Sequence, residues 1–118
     1  MKRIAPLFAM LTLVSGHVVG SEYKPMSGQY AITGPTLMDA PADEKQDRVV
    51  LFLEGDAARD VYRGMTAPAK PQVCTPEGAV TKSAGGVACT FDANDDTYAC
   101  WIGVRLDSGH AVQVDVPC

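Results

Sequence analysis

Four cysteines, two histidines, fourteen carboxylates and a single tryptophan hold most of the chemical potential of this 118-residue chain. The cysteines, Cys74, Cys89, Cys100 and Cys118, are separated by fifteen, eleven and eighteen positions. A zinc site is built from close pairs such as Cys-x-x-Cys, and none occurs, so no metal is expected. An even count in an exported chain is instead the pattern of disulfides, which would also remove any thiolate nucleophile.

Histidine narrows the catalytic options further. His17 falls in a leader segment, and His110 falls in or beside a hairpin turn two residues from Ser108. A Ser–His–Asp arrangement would have to use that pair, whereas a solvated turn histidine explains it more simply. A glycosidase-type carboxylate pair needs one acid with a raised pKa. Asp43, Glu44, Asp47, Asp92, Asp95 and Asp96 all lie in polar loops, and only Glu54, at a strand end, borders an apolar stretch. Residues 92–96 open like a calcium loop, with oxygen ligands at positions 1, 3 and 5. The continuation fails, with Thr97 where glycine belongs and Gly103 where the bidentate Glu belongs. An acidic turn is the simpler reading, and no cofactor is implied. The chain reads as a non-enzyme.

The elements that would position any site follow from periodicity. Residues 29–33 suit a strand with Tyr30 and Ile32 on one side, and a short extended piece follows at 37–38. Residues 39–47, with Pro41 and five charges, form a solvated loop. Residues 49–53, Val-Val-Leu-Phe-Leu, are apolar on both parities, which marks a strand covered on both faces. A helix then opens at Gly55-Asp56, with Asp56 as cap, and carries Ala58, Val61, Tyr62 and Met65 in one stripe. Gly64 stops it, and Pro68 and Pro71 prevent continuation, so it spans about two turns.

Beyond Cys74 the pattern turns to strands at 87–91, 97–106 and 111–116, joined through residues 92–96 and through a three-residue Asp107-Ser108-Gly109 loop. Alternation puts Tyr98, Cys100, Ile102, Val104 and Leu106 on one side of the middle strand. Val87, Cys89 and Phe91 flank them on one neighbour, and Val112, Val114, Val116 and Cys118 on the other. With the helix as lid, the expected fold is α+β: a small antiparallel sheet of about five strands, ending in a three-strand meander, with one short helix on one face and two disulfides.

That register pairs Phe91 with Tyr98 and Cys89 with Cys100, and places Cys89 and Cys118 on outer strands, roughly 10 Å apart and beyond disulfide reach. Two pairings survive: Cys74–Cys89 with Cys100–Cys118, or Cys74–Cys118 with Cys89–Cys100. The first is favoured, because a free C-terminus lets Cys118 adjust to a diagonal.

The opposite side of the middle strand carries Trp101 and Arg105, the side-chain types most enriched at binding hot spots. In the expected meander Trp101 faces Asp115, Gly103 faces Gln113, and Thr90 lies across the other hairpin. Trp101, Arg105, Gln113, Asp115 and Thr90 are therefore the candidate binding residues. The competing reading is that Trp101 packs over cross-strand neighbours or under the 39–47 loop.

Compartment comes from the first twenty residues. Met1-Lys2-Arg3, an apolar run over 4–14, and Val18 and Gly20 at the −3 and −1 positions make a Sec-type signal peptide cleaved before Ser21. The run is too short to span a bilayer, no later run could anchor the chain, and no cysteine follows it as a lipoprotein requires. Residues 21–118 then form one small exported domain, periplasmic or secreted. Loss of Lys2 and Arg3 takes the net charge from −4 to −6, which suits no phosphate backbone and argues against nucleic acid. In size, compartment and staples the chain resembles small exported proteins of Gram-negative bacteria, including periplasmic enzyme inhibitors and immunity proteins. That resemblance implies a non-catalytic binding protein with one periplasmic protein partner, an envelope-acting enzyme or toxin. A structural or accessory envelope protein is the alternative, and a small hydrolase a remote one. Intact-mass measurement on a periplasmic fraction should find a chain beginning at or near Ser21; a full-length mass would refute the leader.

Overall fold

The computed structural model describes residues 22–36, 41–74 and 77–116. They form six strands and one helix in chain order: β1 (Ser27–Thr33), β2 (Arg48–Glu54), α1 (Gly55–Gly64), β3 (Lys70–Pro71), β4 (Ala79–Ala84), β5 (Val87–Asp92) and β6 (Thr97–Arg105). All pairings are antiparallel, in the spatial order β1-β2-β6-β5-β4-β3. The α+β sheet-and-helix architecture is as expected, with one strand more and a different arrangement at the C-terminus. No helix among the described residues is long and apolar enough to cross a membrane.

The arrangement turns on β2. Its Val49, Leu51 and Leu53 lie opposite Val104, Ile102 and Cys100 of β6, on the side that α1 covers. Val50 and Phe52 lie opposite Gly103 and Trp101, on the other side. A strand apolar on both parities needs two neighbours, and this slot between β1 and β6 supplies them; α1 covers one face, while Val50 and Phe52 on the other stay half-buried. In taking that slot, β2 occupies the edge of β6 that the expected strand at 111–116 would have used.

Residues 111–116 accordingly form no strand. The chain turns at Gly109, whose φ of 73° is left-handed, and closes with the Arg105 N–H donating to the His110 carbonyl at 2.8 Å. The return leg thus starts on the β5 side of β6, with one isolated bridge, Val104 to Ala111. It then meets the Gly85-Gly86 turn between β4 and β5. Gly86 is so crowded that a Cβ there would lie 2.8 Å from the Gly103 carbonyl oxygen and 2.9 Å from the Ala111 Cβ. With that edge taken by β5, the tail crosses the sheet face opposite the helix. Val114 is buried there, and a Cβ on Gly103 would lie 2.8 Å from its Cγ1. The expected inward row Val112, Val114 and Val116 keeps its parity, while Gln113 and Asp115 are exposed; only the face it covers differs.

β3 and β4 carried no hydrophobic signature: Ala79–Ala84 reads AVTKSA and Lys70–Pro71 is two residues long. β4 exists because a two-residue turn at Gly85-Gly86, with Gly85 at φ 56°, folds it onto β5 with Ala84 opposite Val87.

α1 follows β2 directly. Its N-cap is Glu54, which makes no side-chain cap bond; Asp56, expected as the cap, lies inside the first turn, where its charge favours the helix dipole. Its last carbonyls are held from the sheet: Lys82 Nζ donates to the Tyr62 and Met65 carbonyls at 3.1 and 3.2 Å, and lies 4.3 Å from the Tyr62 ring centroid. The helix runs ten residues, longer than expected, its length supported by this cap and by packing.

The core lies between α1 and the sheet. Leu53, Ala58, Cys89 and Cys100 are buried at its centre, ringed by Val61, Tyr62, Met65, Val87, Tyr98 and Ile102. Tyr62, Phe91 and Tyr98 form an aromatic cluster with centroids 4.6 to 6.1 Å apart. Burial and the neighbouring Tyr98 push the Tyr62 hydroxyl pKa upward.

Cys89 and Cys100 sit opposite each other, Cα atoms 4.1 Å apart, and are joined by a disulfide. This corrects the favoured pairing of Cys74 with Cys89 and Cys100 with Cys118. That choice relied on a strand at 111–116 bringing Cys118 diagonal to Cys100, and β2 holds that position. Cys74 is also disulfide-bonded, and Cys118 lies outside the described residues, as does the expected extended piece at 37–38. Non-reducing peptide mapping should yield a Cys89–Cys100 peptide and, by exclusion among the two pairings considered, Cys74–Cys118. Reducing the buried bridge should cost on the order of 3 kcal/mol, the value for a loop of about eleven residues. Recovery of Cys74–Cys89 would overturn the β5–β6 register.

Candidate binding site

Trp101 sits mid-strand on β6, on the face opposite the helix. Its cross-strand neighbours are Phe52 of β2 and Ala88 of β5, and not Asp115. Likewise Gly103 lies opposite Val50, not Gln113, although its carbonyl accepts from the Val112 N–H at 2.9 Å. The Trp101 and Phe52 rings meet at 5.2 Å, tilted by 40°. Packing over a cross-strand neighbour is therefore part of what Trp101 does. It is not all, because the ring remains half-buried and lines an open cleft of about 610 Å³.

That cleft wraps the end of the sheet where β2 runs into α1 and β5 turns into β6. Thr90 and Trp101 line it from the sheet, Val116 from the tail, and Glu54, Arg59 and Arg63 from the strand-helix junction. Thr90 shares a 3.2 Å hydroxyl hydrogen bond with Thr81, which fixes its side chain. Arg59 is held along its own helix by Asp56 at 3.3 Å and Asp60 at 3.6 Å. Arg63 is exposed and makes no ion pair among the described residues. Asp56, Asp92 and Asp96 complete an acidic rim, so four carboxylates line the cleft against two guanidiniums.

The other expected site residues fall elsewhere. Arg105 is four residues along β6 from Trp101, about 13 Å at ~3.3 Å per residue. Its guanidinium grips Asp107 in a two-point bond, Nε to Oδ1 at 3.0 Å and Nη2 to Oδ2 at 2.6 Å. The reason is visible in the register: Arg105 lies directly opposite Arg48, and like charges there repel. Each arginine has a carboxylate of its own, Asp107 for Arg105 and Asp47, 3.4 Å away, for Arg48. Gln113 and Asp115 line shallow grooves beside the tail, over Ser83, away from Trp101. Of the five candidates, then, Trp101 and Thr90 share the cleft. Arg59, Arg63 and Val116, which also line it, were not among them, and neither was Phe52, which packs on Trp101 from outside the lining; the parity of Phe52 within the 49–53 run was the available signal.

The chemistry weighed for the turns resolves locally. The Ser108 hydroxyl accepts from the His110 main-chain N–H at 3.3 Å. In the acidic turn, Asp92 accepts from the Asn94 N–H and Asp95 from the Thr97 hydroxyl. No cluster of three potential metal ligands occurs among the described residues. The chain matches no family model, no curated protein and no solved structure.

The Arg105 fork holds the Asp107 carboxyl down to about 2 from its ordinary 3.8, chiefly through the side-chain hydrogen bond. The charged form is the one favoured by folding, so whatever the pair contributes is present above pH ~4 and lost as pH falls toward 2. An NMR titration should place the Asp107 midpoint near 2 in the parent. In Arg105→Ala it should return to the usual Asp range. Because the pair is solvent-exposed, overall stability should change little.

Proposed function

We propose that this chain is an exported, non-catalytic binding protein whose partner is a basic protein, docked with a cationic side chain over Trp101. Inhibition of an envelope-acting enzyme or toxin, or immunity to one, is the role this would serve. The observation that carries the reading is a half-buried tryptophan at the floor of an acid-rimmed cleft. Tryptophan is the best aromatic partner for an ammonium or guanidinium, and Glu54 and Asp96 make no ion pair among the described residues. The acidic balance of the whole chain would speed encounter with a basic partner in low salt. The small count of histidines and the oxidised cysteines support a binding role over an enzymatic one.

The test begins with capture of the partner from a periplasmic extract and a binding assay on the isolated pair. Trp101→Ala should weaken binding by about 2 kcal/mol or more, near thirty-fold. Its loss of stability should be smaller than that of the core substitution Leu53→Ala, which should cost about 2–5 kcal/mol. Binding should also weaken with added salt. A Trp101→Ala variant that binds normally, or that melts as early as Leu53→Ala, would sink the proposal and leave the accessory-protein reading in its place.

A further inference from the structure

The two edges of the sheet are built differently. At one end β3 is two residues long, Lys70–Pro71, and combines a charge with a residue that has no N–H to offer. Those are two of the devices by which an edge avoids pairing with another chain. At the other end β1 is seven residues, SGQYAIT, with no charge and no proline. Among the described residues no strand lies beyond it. The lead-in before β1 is drawn toward the helix, Lys24 lying 3.8 Å from Asp60. Among the described residues, the outer edge of β1 therefore presents a row of main-chain donors and acceptors to whatever strand can reach it.

We infer that β1 is a self-pairing edge whose occupant is β1 of a second copy of this chain, antiparallel about a two-fold axis at Tyr30. The residues fit that register. Tyr30 meets Tyr30 of the second copy, Ile32 meets Gly28, Ala31 meets Gln29, and Ser27 meets Thr33. Each large side chain is thus opposite a smaller one, except at the axis, where two tyrosines can stack. Tyr30 and Ile32, 74% and 43% exposed, lie on the helix side of the sheet opposite Leu51 and Val49. Pairing would run the apolar row Ile102–Leu51–Tyr30 straight into its symmetry mate. Gly28 leaves the space Ile32 needs, and β1 cannot fill it otherwise, since a Cβ at Gly28 would collide with the Phe52 carbonyl oxygen.

Geometry selects the orientation. Joining the same edge of two copies antiparallel keeps Tyr30 and Ile32 of both on one face of the combined sheet, whereas a parallel join turns one copy over and separates the two apolar rows. One strand edge with two exposed apolar side chains buries less than the ~1,200 Å² of a standard interface. The dimer is therefore weak and reversible, populated where the chain is concentrated. This inference is independent of what binds at Trp101, which faces the opposite side.

Sedimentation velocity on the purified chain from about 10 µM to about 1 mM should show a concentration-dependent dimer. Amide exchange in β1 should slow over the same range. Tyr30→Lys should raise the dissociation constant tenfold or more, since it sets like charges opposite each other; Tyr30→Phe should not. Tyr30→Glu alone should also be monomeric. An equimolar mixture of the Lys and Glu variants should dimerise again, because only a two-fold pairing places position 30 against itself. A monomer throughout, a dimer indifferent to Tyr30→Lys, or no rescue in the mixture would each overturn the inference.

Discussion

The pairing of β2 with β6 is the contact on which the rest of this structure depends. A five-residue apolar run with no polar side has no stable place at an edge or on a surface. Set against β6, it completes the helix-side core through Leu53 and gives Trp101 its ring partner, Phe52. It also delivers the chain directly into α1, so the helix starts at a fixed point above Cys100, whose Sγ lies 3.3 Å from the Ala58 carbonyl oxygen. The same contact sends the C-terminal residues across the opposite face, where Val114 covers Gly103.

Much of this was legible from residue types. Periodicity located β1, β2, α1, β5 and β6 to within a few residues, and alternation assigned Tyr98, Cys100 and Ile102 to the helix side. The turn ending at Gly109 and the inward parity of Val112, Val114 and Val116 were legible as well. What alternation does not encode is which strand neighbours which. A strand's own pattern says which residues are buried; it is silent on whether the cover comes from a hairpin partner or from one far away in the chain. For β6 both possibilities existed and the second prevailed: it pairs with β2, and the C-terminal segment crosses the sheet face instead. β4 escaped notice for a different reason, since its side chains earn their place by pairing: Thr81 with Thr90, Lys82 with the helix end.

The candidate site shows the same division. Trp101 and Thr90 were found because each is on the outward parity of a well-marked strand. Arg105 shares that parity and yet has another task, since only the register with β2 reveals Arg48 beside it and the need for Asp107. A guanidinium already gripped at two points has little left to offer a partner. The cleft's remaining wall comes from α1, which joins it through the β2–β6 contact, information no local pattern holds.

Lys82 has a consequence for the order of assembly. Its ammonium closes the C-terminus of α1 from a strand that is twenty residues further along the chain than Tyr62. A helix of ten residues is marginal by itself, so it gains its cap only once the β4–β5 hairpin has formed. β4, β5 and β6 join through short turns, whereas β2 must find β6 across some fifty positions, with Leu53 reaching Cys100. Local hairpins close early and distant pairings late, because loop-closure entropy must be met before the contact rewards it. The C-terminal meander can thus ripen first, carrying the lysine that the helix needs, and the N-terminal half completes the molecule by docking onto a platform already made.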